Sequence, residues 1–115
     1  MESVPVDDKV VIFSTCETEA DARRIAGHLV ERRLAACVNV VPGVLSVYRW
    51  KGAVESAQEW MLVIKSRRGL VGAIEAEFAV VHPYEIPELV VVPVVDGGKS
   101  YMVWLEGELE VPPIR

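Results

Sequence analysis

Cysteine and histidine are scarce in this chain, with two of each among 115 residues. Cys16 and Cys37 do not form a C-x-x-C pair, so a close-spaced zinc or thioredoxin-type motif is excluded. Two free thiols in a reducing, cytoplasmic setting are the expectation. Basic residues never form a tract. A phosphate backbone is held by clustered cations, so nucleic acid is not an expected partner. No apolar run approaches the roughly 20 residues that span a bilayer. Met1–Lys9 carries three acids and no apolar segment of signal-peptide type, so no membrane partner is expected. Enzyme signatures are missing as well: there is no G-x-S-x-G, no H-E-x-x-H and no P-loop. Ser14, Asp21 and either His28 or His82 have no spacing that supports a triad, and a Cys37–His82 nucleophilic pair would require two distant residues to meet. The chain is therefore read as non-enzymatic, with no obligatory cofactor.

What is abundant is valine and, more generally, apolar side chains, which make up 51% of the chain. Runs such as Val90-Val91-Val92 suit strands covered on both faces. A chain of this length supports one core, so residues 1–115 are read as a single domain. The net charge of −5 suits solubility and is compatible with attracting cations.

Periodicity gives the element order. Lys9–Cys16 (KVVIFSTC) is a continuous apolar run and predicts a central strand. Thr18 is a candidate N-cap, with Asp21 three residues on, for a helix whose stripe is Ala22, Ile25, Ala26, Leu29 and Val30. Cys37–Trp50 reads as a strand with a bulge at Pro42-Gly43. Lys51-Gly52 with Ala53 and Val54 reads as a turn region, and Glu59–Ser66 (EWMLVIKS) as the partner strand of a long hairpin. Leu70, Ile74, Phe78 and Val81 predict a second helix that Pro83 stops directly after His82. Glu88–Val95 reads as a fourth strand, and Ser100 as the cap of a short final helix carrying Tyr101, Trp104 and Leu105. The β-α-β-β-α-β order predicts an α+β, ferredoxin-like sandwich with both helices on one face of a four-stranded antiparallel sheet.

That arrangement leaves one sheet face without cover from its own chain. The hairpin adds to the problem. A strand of about 13 residues at roughly 3.4 Å each spans about 44 Å, whereas a domain of this size has a radius of gyration of about 13 to 14 Å. The arm stays apolar along much of its length, through Val44, Leu45, Val47, Tyr48 and Trp50, then Trp60, Leu62 and Ile64. A closed cyclic assembly disposes of such surface.

Several segments, in the right order, resemble the CutA divalent-ion-tolerance family. Cys37-Val38-Asn39-Val40-Val41-Pro42-Gly43-Val44 is similar to its second-strand signature, and Ser46-Val47-Tyr48-Arg49-Trp50-Lys51-Gly52 to the continuation. His82-Pro83-Tyr84-Glu85-Ile86-Pro87-Glu88 resembles its most specific motif, and Tyr101–Leu105 (YMVWL) its C-terminal helix. The likeness spans about residues 9 to 108 and implies a ferredoxin-like homotrimer, architecturally similar to PII signalling proteins, whose long hairpins extend onto neighbouring subunits. It also implies a role in tolerance to divalent cations, notably copper, with metal bound by some members.

On this reading His82 is the leading candidate metal ligand, since imidazole binds Cu²⁺ and Zn²⁺ well. Cys37 and Glu85 are the other candidates for the metal. Cys37 is also read as a small buried hydrophobe, and Cys16 as the more exposed thiol. The chain departs from the cysteine and second histidine that some members carry, having Ser14 and Val81 at those positions, so a three-ligand soft site is not reproduced. Glu59, Lys65, Tyr84 and Glu88 are expected to line an intersubunit cleft, with Tyr84 and Lys65 able to bind an anion. Tyr48, Trp50 and Trp60 are expected as packing anchors of the trimer interface. Divalent-cation binding is the primary functional expectation. A PII-like regulator that takes a small anion or a protein partner in its clefts is the alternative.

Overall fold

The structure, a computed structural model, describes residues 4–111. Its elements run β1 (Lys9–Cys16), α1 (Glu19–Glu31), β2 (Cys37–Trp50), β3 (Ala53–Arg67), α2 (Val71–Val81), β4 (Val90–Pro93) and α3 (Lys99–Glu108). A single 3₁₀ turn, Arg68–Leu70, leads into α2. The strands form one antiparallel sheet in the order β2-β3-β1-β4, as the α+β reading predicts.

Alternation along the strands divides the sheet into two unlike faces. Val10 and Ile12 of β1 lie with Leu62 and Ile64 of β3 on the covered side. Ala22, Ile25 and Leu29 of α1, Ile74 and Phe78 of α2, and Leu105 of α3 complete that core. Thr18 caps α1 as expected, its hydroxyl accepting from the Asp21 N–H at 3.1 Å. The helix closes where Arg33 turns left-handed (φ 60°). The Leu34 N–H then returns to the Leu29 carbonyl, satisfying a terminal acceptor. The guanidinium of Arg24 closes α2 in a similar way, donating to the Val81 carbonyl at 2.6 Å.

Val11, Phe13, Met61 and Val63 point to the opposite side, beside Val90 and Val92 of β4; these two valines are 50% and 42% exposed. Among the described residues no helix covers this face, and they leave it open. The ladder between β1 and β3 ends at Cys16 opposite Trp60, while β2 and β3 continue as an unsupported hairpin to the Lys51-Gly52 turn. This overhang stretches the molecule to 51 × 29 × 24 Å. The register shift between Val41 and Val44 is the bulge expected at Pro42-Gly43, with Gly43 at φ 71°.

Three boundaries differ from the sequence reading. The hairpin turn is confined to Lys51-Gly52, so β3 begins at Ala53 rather than Glu59. Glu55, Ser56 and Gln58 pair with β2 without any core behind them, so no apolar alternation announces that stretch. Strand β4 is shorter than Glu88–Val95: only Val90–Pro93 pairs, with Val10–Phe13 of β1, although β1 runs on to Cys16. Helix α3 starts at Lys99 with Gly98 at its cap position and no side-chain cap; Ser100 already lies inside the helix and caps nothing. The helix is tied to the sheet by Lys9, whose buried ammonium meets Glu106 Oε1 at 2.6 Å. Arg67 Nη2 adds a contact to Glu106 Oε2 at 3.4 Å. Cys16 falls in step with Ile12 and Ser14 on the covered face and is fully buried, contrary to the expectation that it is the more exposed thiol. Cys37, read as a buried hydrophobe, is only half-buried, on the open side of β2.

Candidate functional site

The end of β1 sets up the site. Where β1 stops, β3 loses its neighbour, and the loop after α2 occupies the vacated space. Pro83 forces the chain out of the helix at His82, whose backbone is extended (φ −83°, ψ 132°). The His82 ring turns inward and is 7% exposed. Its Nε2 sits 3.0 Å from the Thr15 carbonyl and 3.3 Å from Ser14 Oγ, and its Nδ1 accepts from the Tyr84 N–H at 3.2 Å. A carbonyl oxygen only accepts, so Nε2 carries the proton and Nδ1 supplies a lone pair to Tyr84. The ring packs between Phe78 and Tyr84, with centroids 5.3 and 5.1 Å away. Burial holds its pKa below the ordinary histidine value, opposed by the hydrogen bond to Thr15.

This tautomer settles two questions. Ser14 cannot hand its proton to an Nε2 that already bears one, and Nδ1 faces an N–H rather than a carboxylate. The pair is therefore the reverse of a serine–histidine nucleophile. A metal ion would likewise find both nitrogens engaged, and gains Nδ1 only if the Tyr84 N–H releases it.

Tyr84 extends the arrangement outward. Its hydroxyl donates to Glu59 Oε2 at 2.6 Å, and burial together with this carboxylate pushes the phenol above its usual range. Glu59 is itself 7% exposed, and no basic side chain pairs with it among the described residues. Above these two groups opens a cleft of about 810 Å³. Its floor is Thr15 and Glu59. One wall is the hairpin from Ser46 to Trp50 with Glu55, and the other is the loop Pro83–Glu88.

The residues singled out from the sequence thus separate into groups. Glu59, Tyr84, Glu85 and Glu88 share the cleft with Tyr48 and Trp50, all from one chain. Lys65 is elsewhere: it lies opposite Cys37 in the ladder and bonds to the Asn39 side-chain oxygen on the open face. Lys65 is therefore not a cation of this cleft, whose lining includes the guanidinium of Arg49. Trp60 packs against the core on the covered side. The three metal candidates do not meet. Cys37 is level with Lys65 and Val11, while His82 binds at Ser14 and Thr15, about 13 Å further along β1 at roughly 3.3 Å per residue. Glu85 is exposed on the loop. No three His, Cys, Asp or Glu side chains are placed to hold one ion among the described residues. Cys16 is no substitute donor, since burial, with Asp21 and Glu59 adding to it, raises its thiol to about 11. Thr15 and the free oxygen of Glu59 were missed from the sequence, because β3, read as starting at Glu59, is then no longer than β1.

A family model described as CutA1 divalent ion tolerance protein matches residues 10–108. The chain is 41% identical over 109 residues to the divalent-cation tolerance protein CutA of Pectobacterium atrosepticum, covering 95% of this chain and 99% of that protein. The solved structure of the divalent cation tolerance protein from Thermus thermophilus superposes with a TM-score of 0.86 at 40% identity, over 89% of this chain and 99% of that one. A rice relative described as chloroplastic is 37% identical over 97 residues, which cover 84% of this chain and 55% of the relative. Kinship of this kind does not fix a cellular compartment. Among the described residues, no helix is long and apolar enough to cross a membrane.

Proposed function

Because the chain belongs to the CutA1 divalent ion tolerance protein family, we propose that it is a cytoplasmic homotrimer that binds divalent cations of the copper type and contributes to metal tolerance. The observation that carries this reading is the pairing of an open apolar sheet face with metal donors that stand singly. A face formed by Val11, Phe13, Met61 and Val63, flanked by exposed Val90 and Val92, needs cover that the described residues do not supply. Copies of the same chain provide it in a closed assembly, and three is the number the family resemblance implies. Rotational symmetry then repeats every donor on that face. A chain with only isolated donors supplies a multidentate site in this way, between subunits rather than within one.

Cys37 is the accessible soft donor on the open face. Glu85 is an accessible oxygen donor, and His82 joins only by giving up its bond to Tyr84. Sedimentation of the purified protein alongside calorimetry with Cu²⁺ tests the proposal. The expected result is a trimer with saturable Cu²⁺ binding that weakens in Cys37→Ser. A monomer at micromolar concentration, or an isotherm indifferent to Cys37, Glu85 and His82 substitutions alike, overturns it.

A further inference from the structure

Helix α2 is unlike α1 on its outer side. Of its 11 residues only Glu75 and Glu77 are charged, whereas α1 turns Glu19, Arg23 and Glu31 to solvent. A helix that is apolar nearly all round is normally covered all round. Here Ile74 and Phe78 face the core, but Gly72, Ala76, Ala79 and Val80 on the opposite side are exposed, Val80 at 80%. Beside this face runs a groove of about 420 Å³, between α2 and the loop that follows it. Phe78, Ala79, Ile86, Pro87 and Leu89 give it an apolar lining, with Ile86 69% exposed.

The proposed trimer covers a different surface. Phe78 belongs to the core on the covered side of the sheet, and Leu89 packs against that core. The groove therefore opens on the helical side, away from Val11, Phe13 and Met61. Charge identifies the kind of occupant. Glu75 stands on the helix rim of the groove and Glu85 on the loop rim, and no basic side chain lines it. Glu77 is held by His28 and Arg32, whereas Glu75 and Glu85 have no such pair among the described residues. A second copy docked face to face would bring these acids together. An anionic lipid surface is disfavoured for the same reason. A protein segment with Lys or Arg beside its apolar side chains answers both the groove and its rims. The small side chains at Ala76 and Ala79, next to Gly72, let a helix lie close against α2.

We propose that the outer face of α2 and the groove beside it dock a basic amphipathic helix of another protein. One apolar side chain of that helix sits among Phe78, Ile86, Pro87 and Leu89, and its basic residues lie against Glu75 and Glu85. Recognition of a helix in a groove reads apolar anchors spaced by one turn. The inference goes beyond metal binding and does not depend on it.

The probe is the fluorescein-labelled peptide KLAKLAKKLAKLAK, a basic amphipathic helix. It is titrated with the whole chain in its solution assembly and followed by fluorescence anisotropy. ELAELAEELAELAE keeps the apolar pattern and replaces each lysine by an acid. Saturable binding of the basic peptide alone is expected. Ala76→Arg puts a long cation at the centre of the face, at an exposed helical position that accepts arginine, and should weaken binding by about tenfold or more. Glu75→Gln combined with Glu85→Gln should weaken it severalfold at low salt. Glu19→Gln combined with Glu31→Gln, which removes two acids from α1, should leave it unchanged. Circular dichroism confirms that the variants are folded. No saturable binding, equal binding of the acidic peptide, or an Ala76→Arg affinity equal to the parent's overturns the proposal. Equal losses from the two pairs of Glu substitutions overturn it as well, since they mark a non-specific charge effect. So does a parent that sediments as a multiple of its assembly and is dissociated by Ala76→Arg, because the face then joins copies of this chain. Retention of the parent but not of Ala76→Arg by phosphatidylcholine vesicles makes lipid the occupant and overturns it too.

Discussion

His82 acts as a strut in this structure, and truncating it shows how much it holds. In His82→Ala the Tyr84 N–H, in a half-buried contact, loses its acceptor, and the buried Thr15 carbonyl loses a donor. Each group stranded in this way costs about 1–3 kcal/mol. Loss of the ring contacts with Phe78 and Tyr84 adds about 0.5–1.5 kcal/mol. The expected destabilisation is therefore about 3 kcal/mol or more, which is about 1 M in the guanidinium midpoint for a domain of this size. His82→Asn keeps an oxygen near the Nδ1 position and should fall between the parent and the alanine variant. The pH dependence follows from the buried neutral ring. In the unfolded chain the imidazole takes up a proton near its ordinary pKa of about 6.5, whereas in the folded protein it does so only at lower pH. In that interval the unfolded state binds more protons, so stability is full above about pH 6.5 and falls as pH drops through the folded value. The slope should vanish in His82→Asn. The assay is guanidinium unfolding from pH 8 to pH 5 at one fixed protein concentration, since assembly makes stability concentration-dependent. A loss below about 1 kcal/mol in His82→Ala, or an identical acid slope in all three proteins, would refute the strut account.

Further outcomes are expected elsewhere in the chain. Phe13 lies on the open face opposite Val63 and Val90, so Phe13→Glu should lower the mass in sedimentation to that of one chain while far-UV circular dichroism holds; an unchanged mass would remove this face from the interface. The Cys16 thiol, buried and raised to about 11, should resist a disulfide reagent at pH 8 until the protein unfolds, and fast native labelling mapped to Cys16 would contradict its placement. Gly43 occupies φ 71° in the bulge with open space around it. Gly43→Val is thus disfavoured by the backbone rather than by a clash, and should lose about 1–2 kcal/mol in thermal unfolding. An unaffected midpoint would mean that the bulge tolerates a branched residue.

The body of the fold was legible because each element there meets the core on one side. The stripe of α1, its Thr18 cap and the apolar run of β1 are local signals that tertiary packing reinforces. Legibility failed where packing gives no pattern. Ala53–Gln58 pairs with β2 in free space, so its residues need not alternate. The length of β4 depends on how far it runs beside β1, a tertiary relation that no property of Glu88–Val95 encodes. Misjudging Cys16 was a matter of parity, since being last in the strand suggested exposure whereas alternation put it under α1. The motif residues of the site were visible, but their grouping was not. Glu59 and Tyr84 meet because β1 ends before β3, a relation between elements far apart in sequence; Lys65 seemed to belong with them only because it shares a strand with Glu59.

The hairpin overhang bears on how the chain folds. Its two strands are joined by a turn of two residues, both with positive φ, so its contacts close the shortest loops in the molecule and carry the smallest entropic penalty. Hairpins of this kind form in about 1–10 μs, whereas pairing Lys9 with Arg67 must wait for most of the domain to be gathered in. The arm can therefore zip up first and template the body, and the newly formed chain then carries a ready-made adhesive limb before it has anything to attach it to.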